Sequence, residues 1–315
     1  MRPLLVTLDA FNTLFHPRQP IPLQYASSAA SFNIPISPAQ IQPAFRASFK
    51  ALSASHPNYG RDLALRGEYA GPRQWWEDVI RGCFARALES NLDFKGKTEV
   101  PDALIQDLLD RFASGRGYKL YDDVEPFFRE LRSRHMDNGR RGRKVVVGVV
   151  SNSDDRISPV LESLGVSVRD ARAGEEKTRQ GRDLPGFEEE REKQSPCPES
   201  SSPNQEQKKD IDFILTSYQA GVEKPDPQIW DAALRTARQL NGQAETGSGS
   251  EDWVRIHVGD DYNRDYRGAE DAGWKAYYLP REKESVEAPE GTRTMASLLD
   301  LLPELGLNGV EGTGL

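Results

Sequence analysis

The stretch "LLVTLDAFNTLF", residues 4–15, decides how this chain is read. An apolar run, Leu4–Leu8, drops directly onto an acid, Asp9, with Asn12 and Thr13 close behind it. Short runs rich in Val, Ile and Leu, without clean alternation, fit strands buried on both faces of a parallel sheet. An acid at the carboxyl end of such a strand stands where open α/β sheets gather function.

Four more runs of the same kind occupy 145–150, 212–216, 255–258 and 276–279. Between them, 158–164, 227–240 and 265–272 have helical period, the last ending at Gly273, where a helix C′ residue is expected. Alternation of this sort predicts an α/β fold with a doubly wound parallel sheet. Residues 18–120 break the rhythm. Patterns such as "PAFRASFKALSAS" and "PRQWWEDVIRGCFARAL" read as amphipathic helices. The expected organisation is a core formed by 1–17 and 121–315, with an inserted second, α-helical domain at 18–120. Trp75 and Trp76 are expected as packing anchors inside the helical block. The tract 171–210 is rich in Glu, Lys, Gln, Ser and Pro and almost free of aliphatics, so it is expected as a disordered surface insertion. A shorter connector, 242–252, is expected to be flexible.

Composition narrows the function classes. Of 315 residues, 29% are charged and the net charge is −8, which disfavours a nucleic-acid binder that works by phosphate neutralisation. No apolar stretch approaches the roughly 20 residues needed to span a bilayer, and no basic-then-apolar leader precedes Leu4. The two cysteines, Cys83 and Cys197, lie too far apart in sequence to suggest a zinc site or disulfide framework. The expectation is a protein of a reducing compartment, cytoplasm or nucleus, with no membrane partner. No signal of oligomeric state is visible.

Four groups stand at the ends of predicted strands: Asp9 with Asn12 and Thr13, Ser151 with Asn152, Lys224 in "EKPDP", and Asp260, Asp261 and Asp265 in "GDDYNRD". Singly, each has an ordinary explanation as a cap, turn or solvated residue. Jointly they supply a carboxylate nucleophile, a hydroxyl donor, a cation and a further pair of carboxylates. That set can bind Mg²⁺ through oxygen and neutralise a phosphoryl group under attack by a carboxylate.

The order Asp-x-x-x-Thr-Leu, Ser-Asn, Lys-Pro-Asp-Pro, Gly-Asp-x-x-x-x-Asp resembles the haloacid dehalogenase-like hydrolase superfamily, outside the two insertions. Three longer stretches, "RQWWEDV", "ILTSYQAGVEKPDPQIW" and "HVGDDYNRDYRGAEDAGW", resemble one subgroup of it that has fungal members. The resemblance implies a Rossmann-like core with a helical cap and a small phosphorylated molecule as substrate. It implies Asp9 as nucleophile, Thr13 as support for its loop, and Ser151 and Asn152 as hydrogen-bonding groups around the transferred group. Lys224 is implied as the balancing charge. Asp9, the Phe11 carbonyl, Asp260 and Asp265 are implied as the Mg²⁺ site, while Asp261 stands where a small polar residue is commoner.

Phe11 departs from the pattern. Most phosphatases of this superfamily carry a second aspartate there, which protonates the leaving oxygen, and a phenyl ring has no proton to give. Three readings stay open: a metal-dependent phosphohydrolase for substrates whose leaving group needs no proton, a dehalogenase, and a non-catalytic or weakly active relative that binds a ligand or partner. Packing of Phe11 against the cap is compatible with all three.

Overall fold

The computed structural model describes residues 1–89, 100–137, 143–169, 184, 186, 209–242, 253–281 and 288–307. Most of the insertion expected at 171–210, and of the connector at 242–252, lies outside the described residues.

Strand β1 (Leu4–Leu8) leads to a short β2 (Phe15–Pro17) and then to five helices, α1 (Ile21–Ser31), α2 (Pro38–Ser55), α3 (Pro57–Arg66), α4 (Pro72–Glu89) and α5 (Asp102–Arg111). Strand β3 (Tyr118–Leu120) returns to pair antiparallel with β2. Thereafter strand and helix alternate: α6 (Val124–Asp137), β4 (Val145–Ser151), α7 (Ile157–Ser163), β5 (Phe213–Thr216), α8 (Ser217–Ala220), α9 (Pro227–Leu240) and β6 (Val254–Gly259). A π-helical turn (Tyr262–Arg267), α10 (Gly268–Asp271) and β7 (Lys275–Tyr278) follow, and a 3₁₀ segment (Leu298–Leu305) ends the described chain. The five strands expected from the sequence form one sheet in the order β5-β4-β1-β6-β7, and every pairing in it is parallel. The fold is an α/β fold with a Rossmann-like parallel sheet flanked by helices.

Period two explains why these strands are apolar throughout. Leu4, Val6, Leu8, Val145, Val147 and Val149 belong to one buried cluster, which continues into the helices between β2 and β3 through Tyr25, Ile80 and Phe84. Leu5, Val146 and Val150 face the other cluster, which α9 closes with Ile229, Trp230 and Ala233. Gly148 lets Phe213 cross β4, since a Cβ there would lie 2.3 Å from the phenyl ring.

The helix expected at 265–272 is different in detail. Asp261 accepts from the N–H groups of Asn263 and Arg264, and so starts the element earlier as a π turn, with α10 after it. Gly273 does take the left-handed conformation, φ 75°, expected of a C′ residue. A second local irregularity sits in α3, where Asn58, Tyr59 and Gly60 take positive φ values of 46°, 60° and 72°.

Candidate active site

Because β1, β4, β5 and β6 run parallel, their carboxyl ends deliver four loops to one edge of the sheet. Asp9 follows β1 and is 7% exposed, its N–H held by the Val258 carbonyl at 2.9 Å. Ser151 ends β4 and is buried. Lys224 arrives from beyond β5 and α8, and Asp260 follows β6. The structure therefore brings together all the residues singled out at the predicted strand ends.

Lys224 is the hub. Its ammonium donates to Asp9 Oδ1 at 2.6 Å, Asp265 Oδ1 at 2.6 Å and the Val150 carbonyl at 2.8 Å. Three donors meet three acceptors, so this buried cation is satisfied. Asn152 fixes the loop that carries it from both sides: its Oδ1 accepts from the Lys224 N–H at 2.7 Å and its Nδ2 donates to the Lys224 carbonyl at 2.9 Å. Thr13 donates to Asp260 Oδ1 at 3.3 Å, and the Thr13 carbonyl accepts twice from Arg281, which is paired with Asp123.

Asp265 is held from the opposite side. Its Oδ2 accepts from the Asp261 N–H at 3.0 Å, and its Oδ1 meets His257 Nε2 at 3.1 Å, while His257 Nδ1 lies 2.9 Å from the Thr7 hydroxyl. Gly259 leaves room for this carboxyl, since a Cβ at that position would approach Asp265 Cγ to 2.2 Å. Asp261, less certain from sequence, serves the backbone of the π turn through its side chain.

Electrostatics separates the acids. Burial pushes Asp9 up to about 6 despite Lys224, and Asp265 adds to the rise. Burial also lifts Asp260 to about 7, with Asp9 and then Asp265 as the next causes. Burial opposes the charge of Asp265 as well, but Lys224 and His257 outweigh it and hold that carboxyl below the usual range. Burial holds His257 below its ordinary value, favouring the neutral ring. Carboxylate oxygens of Asp9, Asp260 and Asp265 all lie within 4.8 Å of one another. Three carboxylates against one lysine leave an excess of two negative charges, and oxygen donors at this spacing could hold a divalent cation.

A cavity of about 390 Å³ opens over these groups. Phe11 lines it and is 36% exposed. Its ring stands edge-on to Phe15 and Tyr118, at centroid distances of 6.1 and 6.0 Å, so it packs against the β2–β3 pair. Trp75 is a buried anchor as expected, but Trp76 also faces the cavity, and there the packing expectation falls short. Its indole N–H donates to Asp154 Oδ2 at 2.8 Å, and Asp154 in turn grips the Arg156 guanidinium at 2.7 and 2.9 Å. Arg156 lies 4.1 Å above the Trp76 ring.

Asp154, Arg156, Tyr59 and Phe49 were not singled out in the sequence. Asp154 and Arg156 sit in "SNSDDR", a few residues past a recognised strand end, and that position was their one signal. Tyr59 and Phe49 carry none, because only tertiary folding brings α2 and α3 over the sheet edge.

No family model matches the chain. A bovine (Bos taurus) protein named haloacid dehalogenase-like hydrolase domain-containing protein 3 is 28% identical over 308 residues, which cover 96% of this chain and 93% of that protein. Over nearly its whole length the chain is thus similar to haloacid dehalogenase-like hydrolases. An uncharacterized protein of Saccharomyces cerevisiae, YMR130W, is 27% identical over 89% of this chain and 72% of its own length. Among solved structures, a defluorinating L-2-haloacid dehalogenase superposes with a TM-score of 0.54 at 16% identity, covering 96% of this chain and 95% of that one. That likeness is one of fold. No helix among the described residues is long and apolar enough to cross a membrane.

Proposed function

We propose that this hydrolase is a Mg²⁺-dependent phosphohydrolase that acts through Asp9 on a small phosphorylated molecule with a good leaving group. The observation that carries the reading is the gathering of Asp9, Asp260 and Asp265 around a single buried lysine. An acid cluster with two negative charges in excess argues against a metal-free haloacid reaction, because a cation relieves its repulsion. Asp9, Asp260 and Asp265 would hold that cation, with the Phe11 carbonyl beside them. When bound, Mg²⁺ would polarise the phosphoryl oxygens.

The chain's own groups do the rest. Asp9 attacks phosphorus through a carboxylate oxygen. The bond from phosphorus to the leaving oxygen breaks, and that oxygen departs with the electron pair. Water then attacks the phosphorus of the aspartyl-phosphate, the bond to Asp9 breaks, and the water proton passes to solvent. Lys224 balances the charge of Asp9 and of the phosphoryl group, while Ser151 lines the cavity where the phosphoryl oxygens would lie. Asn152 keeps Lys224 in position. The helices of residues 18–120 would act as a cap that shields the site from water.

A release panel tests the reading. Inorganic phosphate should be released from acetyl phosphate with Mg²⁺, and not after Asp9→Asn. Halide released from haloacids without metal would replace this reading with a dehalogenase, and silence in both assays would leave a binding protein.

Metal binding has a separate signature. Without metal, the raised values of Asp9 and Asp260 mean that their contributions to stability are present at low pH and are lost as pH rises through about 6 and 7. Added Mg²⁺ should therefore raise the melting temperature more at pH 8 than at pH 5. Calorimetry should find weaker Mg²⁺ binding in Asp260→Asn. Equal affinities would remove Asp260 from the site.

A further inference from the structure

The cavity is charged at one end and aromatic over much of the rest. Phe11, Phe15 and Tyr118 wall one side, and Phe49, Tyr59 and Trp76 another. Phe49 and Tyr59 stand 6.0 and 6.4 Å from Trp76, centroid to centroid. On one of these rings the polar atom is already engaged. The Trp76 N–H binds Asp154. Tyr59 is held at the cavity on three successive left-handed residues, two of which are not glycine, a conformation that persists only where the surroundings enforce it. Among the described residues, the large apolar side chains left exposed include two aromatics, Phe11 at 36% and Phe49 at 38%, and both face this cavity from different walls. Apolar surface kept open in a cleft marks a place where a ligand covers it.

We infer that the cavity seats a flat aromatic group, so that the substrate is a compact aryl phosphate of one or two fused rings. The inference rests on the proposed phosphohydrolase reading and narrows its substrate class. A sugar phosphate would set several of its hydroxyls against aromatic carbon instead of water, which costs affinity. An acyl phosphate such as acetyl phosphate would leave the rings bare. A volume of about 390 Å³ is at the small end of ligand sites and suits one or two rings beside a phosphate. A side chamber of about 40 Å³, which shares Trp76, Phe112, Tyr118 and Arg156 with the cavity, has room for a small apolar substituent.

Calorimetry with non-hydrolysable probes tests this without turnover. In the presence of Mg²⁺, the full-length protein should bind naphthylmethylphosphonate about 10- to 100-fold more tightly than methylphosphonate. Phe49→Ala should remove most of that ratio, and Phe49→Leu, which keeps apolar bulk without a ring face, should remove part of it. Equal affinity for the two phosphonates, or an unchanged ratio in Phe49→Ala, would overturn the aromatic seat. Acetyl phosphate turnover decides the phosphohydrolase reading separately, so the two failures look different.

Discussion

Lys224→Met should cost the protein both its activity and a large part of its stability. Lys224 is 4% exposed and its ammonium is shared by Asp9 and Asp265. Removing it leaves two buried carboxylates without their cation, and breaking a buried pair from one side typically costs about 3–5 kcal/mol. For a chain of this size that corresponds to a fall in melting temperature of roughly 5–8 °C. Under the proposed chemistry, kcat should fall by at least the ~10²–10³-fold seen when a charge-stabilising donor is removed.

The loss should depend on pH in a defined direction. In the wild type, Asp265 is held below its ordinary value, so its contribution is present above about 4 and is lost only in acid. In the variant Asp265 rises above its unfolded value and Asp9, already raised to about 6, rises further, so stability falls as pH increases through those raised values. The gap between the two proteins should therefore be wider at pH 8 than at pH 5. Thermal melts at both pH values, without Mg²⁺, provide the check. Melting temperatures that agree at pH 8 would mean that the two acids do not depend on this lysine.

What the sequence disclosed and what it withheld have a physical division. The strands were legible because a sheet buried on both faces demands unbroken apolar runs, and the residues at their ends were legible because parallel strands deliver their loops to one edge. Lys224 is the instructive case. It sits 215 residues from Asp9 in sequence, and its role beside that acid was implied by the family resemblance, since a helix separates it from the end of β5. The cavity walls were not legible in this way. Trp76 looked like a core residue, since an aromatic on an amphipathic helix packs in either direction and only the fold decides. The helix at 265–272 was misread at its start because a π turn has no apolar period to betray it. His257 was absorbed into an apolar run, although its ring reaches Asp265 across the strand end.

Phe11→Asp should create activity toward alkyl phosphates that the wild type lacks. The four carboxyls that line the cavity are Asp9, Asp260, Asp261 and Asp265. Under the proposed chemistry the first would attack, Asp260 and Asp265 would join it in holding the cation, and Asp261 caps the π turn. None stands in sequence where the superfamily's second aspartate does. Turnover by the wild type should thus depend steeply on the basicity of the departing oxygen: p-nitrophenyl phosphate should react and glycerol phosphate hardly at all. A carboxyl introduced at position 11 should raise glycerol phosphate turnover by up to ~10²–10⁴-fold if it reaches the leaving oxygen. The exchange is structurally mild, because Phe11 is 36% exposed and contributes edge-on contacts to Phe15 and Tyr118, each worth ~0.5–1.5 kcal/mol beyond burial. Phe11→Asn is the control, since it loses the same ring contacts and cannot donate an acidic proton. A rise in Phe11→Asp that is absent from Phe11→Asn, in proteins with matched circular dichroism, would locate the missing acid at this position. Wild-type rates that are similar for glycerol phosphate and p-nitrophenyl phosphate would mean that another group protonates the leaving oxygen, and Phe11 would then be no more than a wall of the cavity.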